Sequence, residues 1–170
     1  MTRHIVVLPY DKNWKTNFIA IKNKLSAVLG DLALRIEHVG STSIEGCFSK
    51  PIIDIDVVIE NYSVLNTVIL KLEQIGYNHK GDMGIKDREV FEFVGEESFC
   101  EHHLYVCTKY SSELKRHIGF RDYLRANPKE VEIYSNIKIE GARLYANDIE
   151  EYMKYKSYFI KKVYKKLALI

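Results

Sequence analysis

The chain has 170 residues, 46% of them hydrophobic, enough for one well-buried core in an ordinary globular domain. Lys and Arg number 25 against 23 Asp and Glu, a formal net charge of +2, so no global field draws the protein to nucleic acid or to a membrane surface. Cys47, Cys100 and Cys107 are odd in number and widely spaced, which fits reduced thiols, and the opening apolar run 5–8 stops at Pro9, too short for a signal peptide or a span; the expectation is a cytoplasmic protein.

In chain order, Asp11 is placed to cap a helix whose apolar positions Trp14, Phe18, Ile21, Leu25 and Val28 recur at helical spacing and which ends near Gly30. Residues 34–39 follow as a strand that runs into Gly40, Ser41, Thr42 and Ser43, and the apolar run 51–59, interrupted by Asp54 and Asp56, is the next strand. Ser63 is placed to cap a second helix carrying Val64, Leu65, Val68, Ile69, Leu72 and Ile75, closed by Gly76. Gly81 and Gly84 mark a loop before strands at 88–94 and 102–107. From Ser112 the pattern is helical, broken once at Pro128, with a last helix starting at Asn147 or Asp148. This order predicts an α/β (α+β) fold, a mixed β-sheet with flanking helices and a helical C-terminal tail. No repeat or linker divides it, so one domain spans 1–170, with its core in about 1–110 and its helical part in 111–170.

A strand projects residues i and i+2 from one face, so Asp54 and Asp56 stand about 7 Å apart on one side while Ile53, Ile55 and Val57 fill the other. Carboxylates this close repel, and a divalent cation between them stabilises both as anions. Mg²⁺ or Mn²⁺ is the expected ion. Upstream, glycine lets backbone N–H groups approach an anion and the hydroxyls of Ser41, Thr42 and Ser43 add donors without bulk, so Gly40–Ser43 is a candidate phosphate turn. The twelve residues from Thr42 to Ile53 leave room for one helical turn and a return to a neighbouring strand, which predicts that Ser41 and Asp54 open into one cleft. The order hydrophobic-Gly-Ser, spacer, Asp-hydrophobic-Asp-hydrophobic resembles the signature of the nucleotidyltransferase superfamily.

A closer resemblance runs over nearly the whole chain. It is carried by Pro9-Tyr10-Asp11, the stretch 36–43, Lys50-Pro51 with 52–56, Gly84-Ile85 with Arg88, the stretch 103–106, and 120–125 with Pro128. These segments resemble the GrpB family, small proteins similar to nucleotidyltransferases, some of them fused to dephospho-coenzyme A kinase. Glu45 stands where members often carry proline. The resemblance implies a nucleotidyltransferase-like fold and leaves the substrate open.

Other residues are candidates on position. Lys50 directly precedes the acidic strand and is placed to meet a phosphate as a point charge. Strand parity turns Arg88 and Glu92 away from the aromatic face of Phe91 and Phe93, and turns His103 toward the carboxylates. Active nucleotidyltransferases of this type usually add a third carboxylate. Glu92 is the best stand-in, and His103 is the residue that completes a reduced site without one. Arg121 and Arg125, at i and i+4, are spaced to clamp an anion. His38 reads as a structural histidine. The lysines of the last helix, Lys154, Lys156, Lys161, Lys162, Lys165 and Lys166, read as a solvated face. Cys100, His102, His103 and Cys107 have the chemistry of zinc ligands, but parity splits them between two faces.

The function these residues point to is a metal-dependent nucleotidyltransferase that moves a nucleoside monophosphate to an unknown acceptor, with Asp54 and Asp56 catalytic and holding the metal. Gly40, Ser41, Thr42, Ser43, Lys50, Arg88, His103 and Arg121 are the expected phosphate-binding set. The alternative is a non-catalytic module for a nucleotide or a coenzyme A-related ligand. In either case the partner is a nucleotide or phosphorylated small molecule rather than nucleic acid or a membrane, and the oligomeric state is open.

Overall fold

The computed structural model describes residues 4–96 and 99–170. Helix α1 (Asn13–Leu29) starts at Asp11, whose carboxylate accepts from the Asn13 N–H at 2.8 Å, and ends at Gly30 with a φ of 53°. Trp14, Phe18, Ile21 and Leu25 are buried, as the spacing predicts, and Leu29 rather than the half-buried Val28 completes the stripe. Strands β1 (Arg35–Val39) and β2 (Ile53–Ile59) pair antiparallel, with Val39 opposite Asp54 and Glu37 opposite Asp56. A single 3-10 turn, Ser41–Ser43, follows β1. Helix α2 (Leu65–Glu73) follows a turn capped by Asn61, whose Oδ1 accepts from the Ser63 N–H at 2.9 Å, so the cap lies two residues before the expected Ser63.

The sheet is completed by β3 (Tyr77–His79), β4 (Glu89–Phe93) and β5 (His102–Thr108). Its order is β1-β2-β5-β4-β3, antiparallel except for the central pair β2 and β5. Three residues are too few to show a period of two, which is why β3 has no signal in the sequence. On one face Ile53, Ile55, Val57, Leu104 and Val106 are fully buried with the stripes of α1 and α2. Each such aliphatic side chain contributes about 1.5 to 3 kcal/mol of burial. The opposite face carries the acids.

Three helices make up the rest: α3 (Ser112–Ala126), α4 (Pro128–Leu144) and α5 (Ile149–Lys166). Ser111 caps α3, Pro128 opens α4 at its first residue and Asp148 caps α5. Their shared core of Phe120, Leu124, Val131, Tyr134, Phe159 and Val163 also takes in Ile44 and Cys47, from the segment that joins the Ser41–Ser43 turn to β2. That segment pins the helices over the acid-bearing face of the sheet. No helix among the described residues is long and apolar enough to cross a membrane.

Candidate phosphate- and metal-binding cleft

Alternation along β2 puts Asp54 and Asp56 on one face, and parallel register sets His103 beside Asp54 and Tyr105 beside Asp56. The two acids sit in different surroundings. The Asp54 side chain is 30% exposed and its Oδ1 accepts from His103 Nδ1 at 2.9 Å. Asp56 is 1% exposed, and its Oδ2 accepts from His117 Nδ1, on α3, at 2.8 Å. Burial pushes the Asp56 carboxyl up from its ordinary range, and the hydrogen bond and charge of His117 only partly offset this. Burial also disfavours the His117 cation, but the bond to Asp56 and its charge outweigh that, and the imidazole holds its proton more tightly than usual.

The second oxygens of the two carboxylates define what is missing. Asp56 Oδ1 is buried and has no hydrogen-bond partner among the described residues. A Cβ built on Gly40 would lie 2.2 Å from Asp54 Oδ2, so position 40 must be glycine both for this approach and for its φ of 69°. One oxygen of each acid is thus oriented by a histidine, while of the other two, Asp54 Oδ2 packs against Gly40 at the cleft and Asp56 Oδ1 is buried without a partner among the described residues. This donor set fits a hard, oxygen-seeking ion such as Mg²⁺, which takes one or two carboxylates and fills its shell with water and phosphate oxygens. Among the described residues no three His, Cys, Asp or Glu side chains are grouped to hold a metal, and Glu37, the acid opposite Asp56, is paired with Arg121.

The turn is braced from behind. His38 stacks on Phe18 and donates through Nε2 to Thr42 Oγ1, which in turn donates to the Ile52 carbonyl. Burial first, and then the charges of Arg125 and Arg121, lower the His38 pKa to about 4 against the opposing pull of Asp54, so the ring is neutral. Arg121 donates to the His38 carbonyl at 3.1 Å and pairs with Glu37 at 2.9 Å, and Arg125 donates twice to the Ser43 carbonyl. Gly40, Ser41 and Thr42 line the cleft beside Asp54, and Ser43 ties back to the Gly40 carbonyl.

Of the expected phosphate ligands, Lys50 and His103 line this cleft of about 280 Å³ together with Asp54. Arg121 does not: the spacing that suggested an anion clamp serves to grip two backbone carbonyls and Glu37, because β1 brings those acceptors to α3 before any ligand is present. Arg88 lies with its guanidinium 4.4 Å from the Tyr105 ring centroid, near enough to Asp56 to counter the rise in its pKa. Glu92 pairs with Lys80 at 2.7 Å on a largely exposed side chain and does not join the acids. His102 donates to the Cys100 carbonyl and accepts from Tyr77, while Cys107 is buried against Val58 and Leu114, so the zinc-type residues have separate partners.

The helical half contributes residues the sequence reading passed over. Lys138 and Lys156 line the cleft with Tyr134, Tyr152 and Tyr164. Lys156 is not on the solvated face of α5; burial first, and then the charges of Lys138 and Lys50, lower its pKa to about 8. Lys138 is 2% exposed, its ammonium 3.1 Å from Cys47 Sγ and 4.3 Å from the Tyr134 ring centroid. Neither lysine has a carboxylate partner among the described residues. The signal was present: Val131, Tyr134, Ser135 and Lys138 share the buried face of α4, and Tyr152, Lys156, Phe159 and Val163 recur at helical spacing on α5. A lysine inside an apolar stripe marks a cation turned inward.

Known proteins share the family and the fold of this chain. The chain is 32% identical to the glutamate-rich protein GrpB of Alkalihalophilus pseudofirmus over 94% of its length and 93% of the relative's. It is 34% identical to a UPF0157 protein of Halalkalibacterium halodurans, covering 95% of this chain and 82% of the other. The crystal structure of conserved protein GrpB from Enterococcus faecalis matches with a TM-score of 0.82 at 30% identity, over 95% of this chain and 99% of that one. The Cid1 poly(U) polymerase shares the fold at 9% identity, with a TM-score of 0.55 over 79% of this chain and 42% of the polymerase. The fold is nucleotidyltransferase-like, and the sequence model of the family described as GrpB protein matches residues 4–166, so the chain belongs to the GrpB family.

Proposed function

We propose that the protein binds the phosphate chain of a nucleotide in the cleft between sheet and helices and transfers a nucleoside monophosphate to an acceptor. The observation that carries this reading is the meeting of opposite charges at one cleft: Asp54 on the sheet, with Asp56 and its unpartnered oxygen buried two residues further along the strand, and Lys138 and Lys156 on the helices, without carboxylate partners among the described residues. A bound Mg²⁺ would be held by Asp54 and Asp56, where it would neutralise phosphate charge and polarise the phosphoryl oxygens. The turn at Gly40 and Ser41 presents backbone and hydroxyl donors to a phosphate. Lys50, Lys138 and Lys156 offset the charge of the leaving polyphosphate, which is where electrostatic stabilisation counts most in phosphoryl chemistry. His103 and His117 hold the two carboxylates in orientation.

A second reading is a module that binds such a ligand without turnover. It is favoured by the imidazole of His103 beside Asp54, with Glu92 committed to Lys80, Glu37, the acid opposite Asp56, committed to Arg121, and no group of three metal-ligating side chains among the described residues. A dephospho-CoA kinase of Mycobacterium tuberculosis is 34% identical over 74 residues, 42% of this chain, which makes coenzyme A derivatives part of the ligand panel. The test is a thermal-shift series with nucleoside triphosphates and coenzyme A derivatives, with and without Mg²⁺, followed by pyrophosphate release in the parent and in Asp54→Asn. Stabilisation with pyrophosphate release that is lost in the variant supports the enzyme, and stabilisation without release supports the module. No stabilisation by any of these ligands overturns both.

A further inference from the structure

Lys138 poses a problem that the phosphate cleft does not fully resolve. It is buried on a face of α4 where leucine or methionine would pack at no electrostatic cost, and its nearest polar partner is the thiol of Cys47, itself 0% exposed. The remaining contacts of that sulfur are weak: the Phe48 carbonyl at 3.7 Å and Ser135 Oγ at 3.9 Å. A buried amine aimed at a buried thiol with no carboxylate between them is a reactive pair. We propose that Cys47 and Lys138 form an oxidation-driven covalent bridge through one oxygen, Sγ–O–Nζ, that switches the cleft off.

The separation of 3.1 Å suits insertion of a single oxygen, since two single bonds meeting at a bent oxygen span slightly less than this and the side chains need only a small shift. Burial lowers the Lys138 pKa, which favours the neutral amine that the reaction consumes. The oxidant is a hydroperoxide. Cys–SH and Lys–NH₂ react with two molecules of hydrogen peroxide to give Cys–S–O–NH–Lys and three molecules of water; the thiol hydrogen and one amine hydrogen are lost, and each peroxide takes up two electrons. Lys138 lines the cleft and Cys47, 0% exposed, lies behind it, so a small oxidant would enter from the cleft past the Lys138 ammonium. Four thiol equivalents reverse it, giving back thiol and amine, with the oxygen leaving as water and two disulfides formed. The bridge would remove a cation from the cleft and would fasten the segment after the Ser41–Ser43 turn to α4. This consequence rests on the phosphate reading above, whereas the bridge itself does not.

The experiment treats the full-length protein with hydrogen peroxide and reads the intact mass, the peptide map and the affinity for inorganic tripolyphosphate. The expected product gains one oxygen and loses two hydrogens, joins the peptide containing residue 47 to the one containing residue 138, blocks tryptic cleavage after Lys138, and is undone by dithiothreitol. Cys47→Ser and Lys138→Met each abolish it, and a variant with Cys100→Ser and Cys107→Ser keeps it. The trypsin readout is made on the unmutated protein, so it stands even where Lys138→Met fails to fold. Sulfinate or sulfonate on Cys47, a direct sulfur–nitrogen link without the oxygen, or cleavage after Lys138 at the parent rate would overturn the bridge. Tripolyphosphate affinity is expected to fall about tenfold on bridging, the value of one charge-assisted contact. A bridge that forms without that loss supports the modification and counts against the phosphate cleft, so the two failures are distinguishable.

Discussion

The two walls of the cleft balance their charges in different ways. On the sheet wall each acid meets a partner supplied by the fold: Asp54 has His103, Asp56 has His117 and Glu37 has Arg121. On the helical wall Lys138 and Lys156 face tyrosine rings and a thiol, and among the described residues neither has a carboxylate ion pair, the charge of Asp54 only partly offsetting the burial of Lys156. The sheet wall is preorganised by its partners, with Asp56 Oδ1 left unpartnered among the described residues, whereas an unpaired cation stores a demand that an anion meets on binding. On the function proposed above, the sheet would orient and hold a metal, and the helices would neutralise the charge of a phosphate chain.

The turn that joins the walls carries the largest expected effect on stability. His38 has its pKa lowered from 6.5 to about 4, so the unfolded chain binds the proton first. Its contribution is therefore fully present above about pH 6.5 and is lost as pH falls toward 4, an amount of about 3 kcal/mol. Denaturant titrations at pH 7 and pH 4 should show this loss in the parent and much less of it in His38→Gln, which keeps a donor toward Thr42. Equal acid sensitivity in both would mean that the turn is not held by a neutral imidazole.

Next comes the helical wall itself. Lys138→Met together with Lys156→Met should weaken inorganic tripolyphosphate binding about 100-fold, from two charge-assisted contacts of about 1.4 kcal/mol each. Thermal stability should hold or rise, because each change removes a desolvated charge without leaving a carboxylate behind. Calorimetric titration and a melting curve on the same samples check both. Unchanged affinity would erase the contrast between the walls.

A smaller effect separates the two acids. Asp56→Asn keeps an acceptor for His117 and removes a buried charge whose second oxygen has no partner, so the metal-free protein should be as stable as the parent or more so, by up to about 1 kcal/mol. Asp54→Asn, on a partly exposed side chain, should leave stability within about 0.5 kcal/mol. Marked destabilisation by Asp56→Asn would make the Asp56–His117 pair a structural ion pair.

The smallest signal is a proton. Lys156 is held down to about 8 by burial and by Lys138 and Lys50, and an anion in the cleft favours its charged form. Tripolyphosphate binding above pH 8 should take up a proton that it does not take up at pH 6.5, read as buffer-dependent heat. Lys156→Met should lose that uptake.

Much of the sheet wall was legible in the sequence because a strand has a strict period: once Asp54 and Asp56 share a run, their common face follows, and Gly40-Ser41 ahead of them predicts the turn. The helical wall was harder to read. Lys156 sits among five other lysines whose exposure is the ordinary outcome, and only its place in the stripe of Tyr152, Phe159 and Val163 sets it apart. Arg121 and Arg125 have the right spacing for an anion, but what they grip depends on which backbone lies opposite, a tertiary fact that helix periodicity does not carry. His117 is likewise silent in sequence, since its partner Asp56 is 61 residues away.

The central claim is that metal dependence belongs to the sheet wall and phosphate affinity to the helical one. It is tested most directly by calorimetric titration of a non-hydrolysable nucleoside triphosphate, with and without Mg²⁺, into the parent, Asp54→Asn, Lys156→Met and the double variant. The account predicts that Mg²⁺ strengthens binding to the parent and to Lys156→Met but not to Asp54→Asn, while Lys156→Met weakens binding with or without the ion. The same Mg²⁺ increment in all four proteins, or no binding to the parent at all, would contradict it.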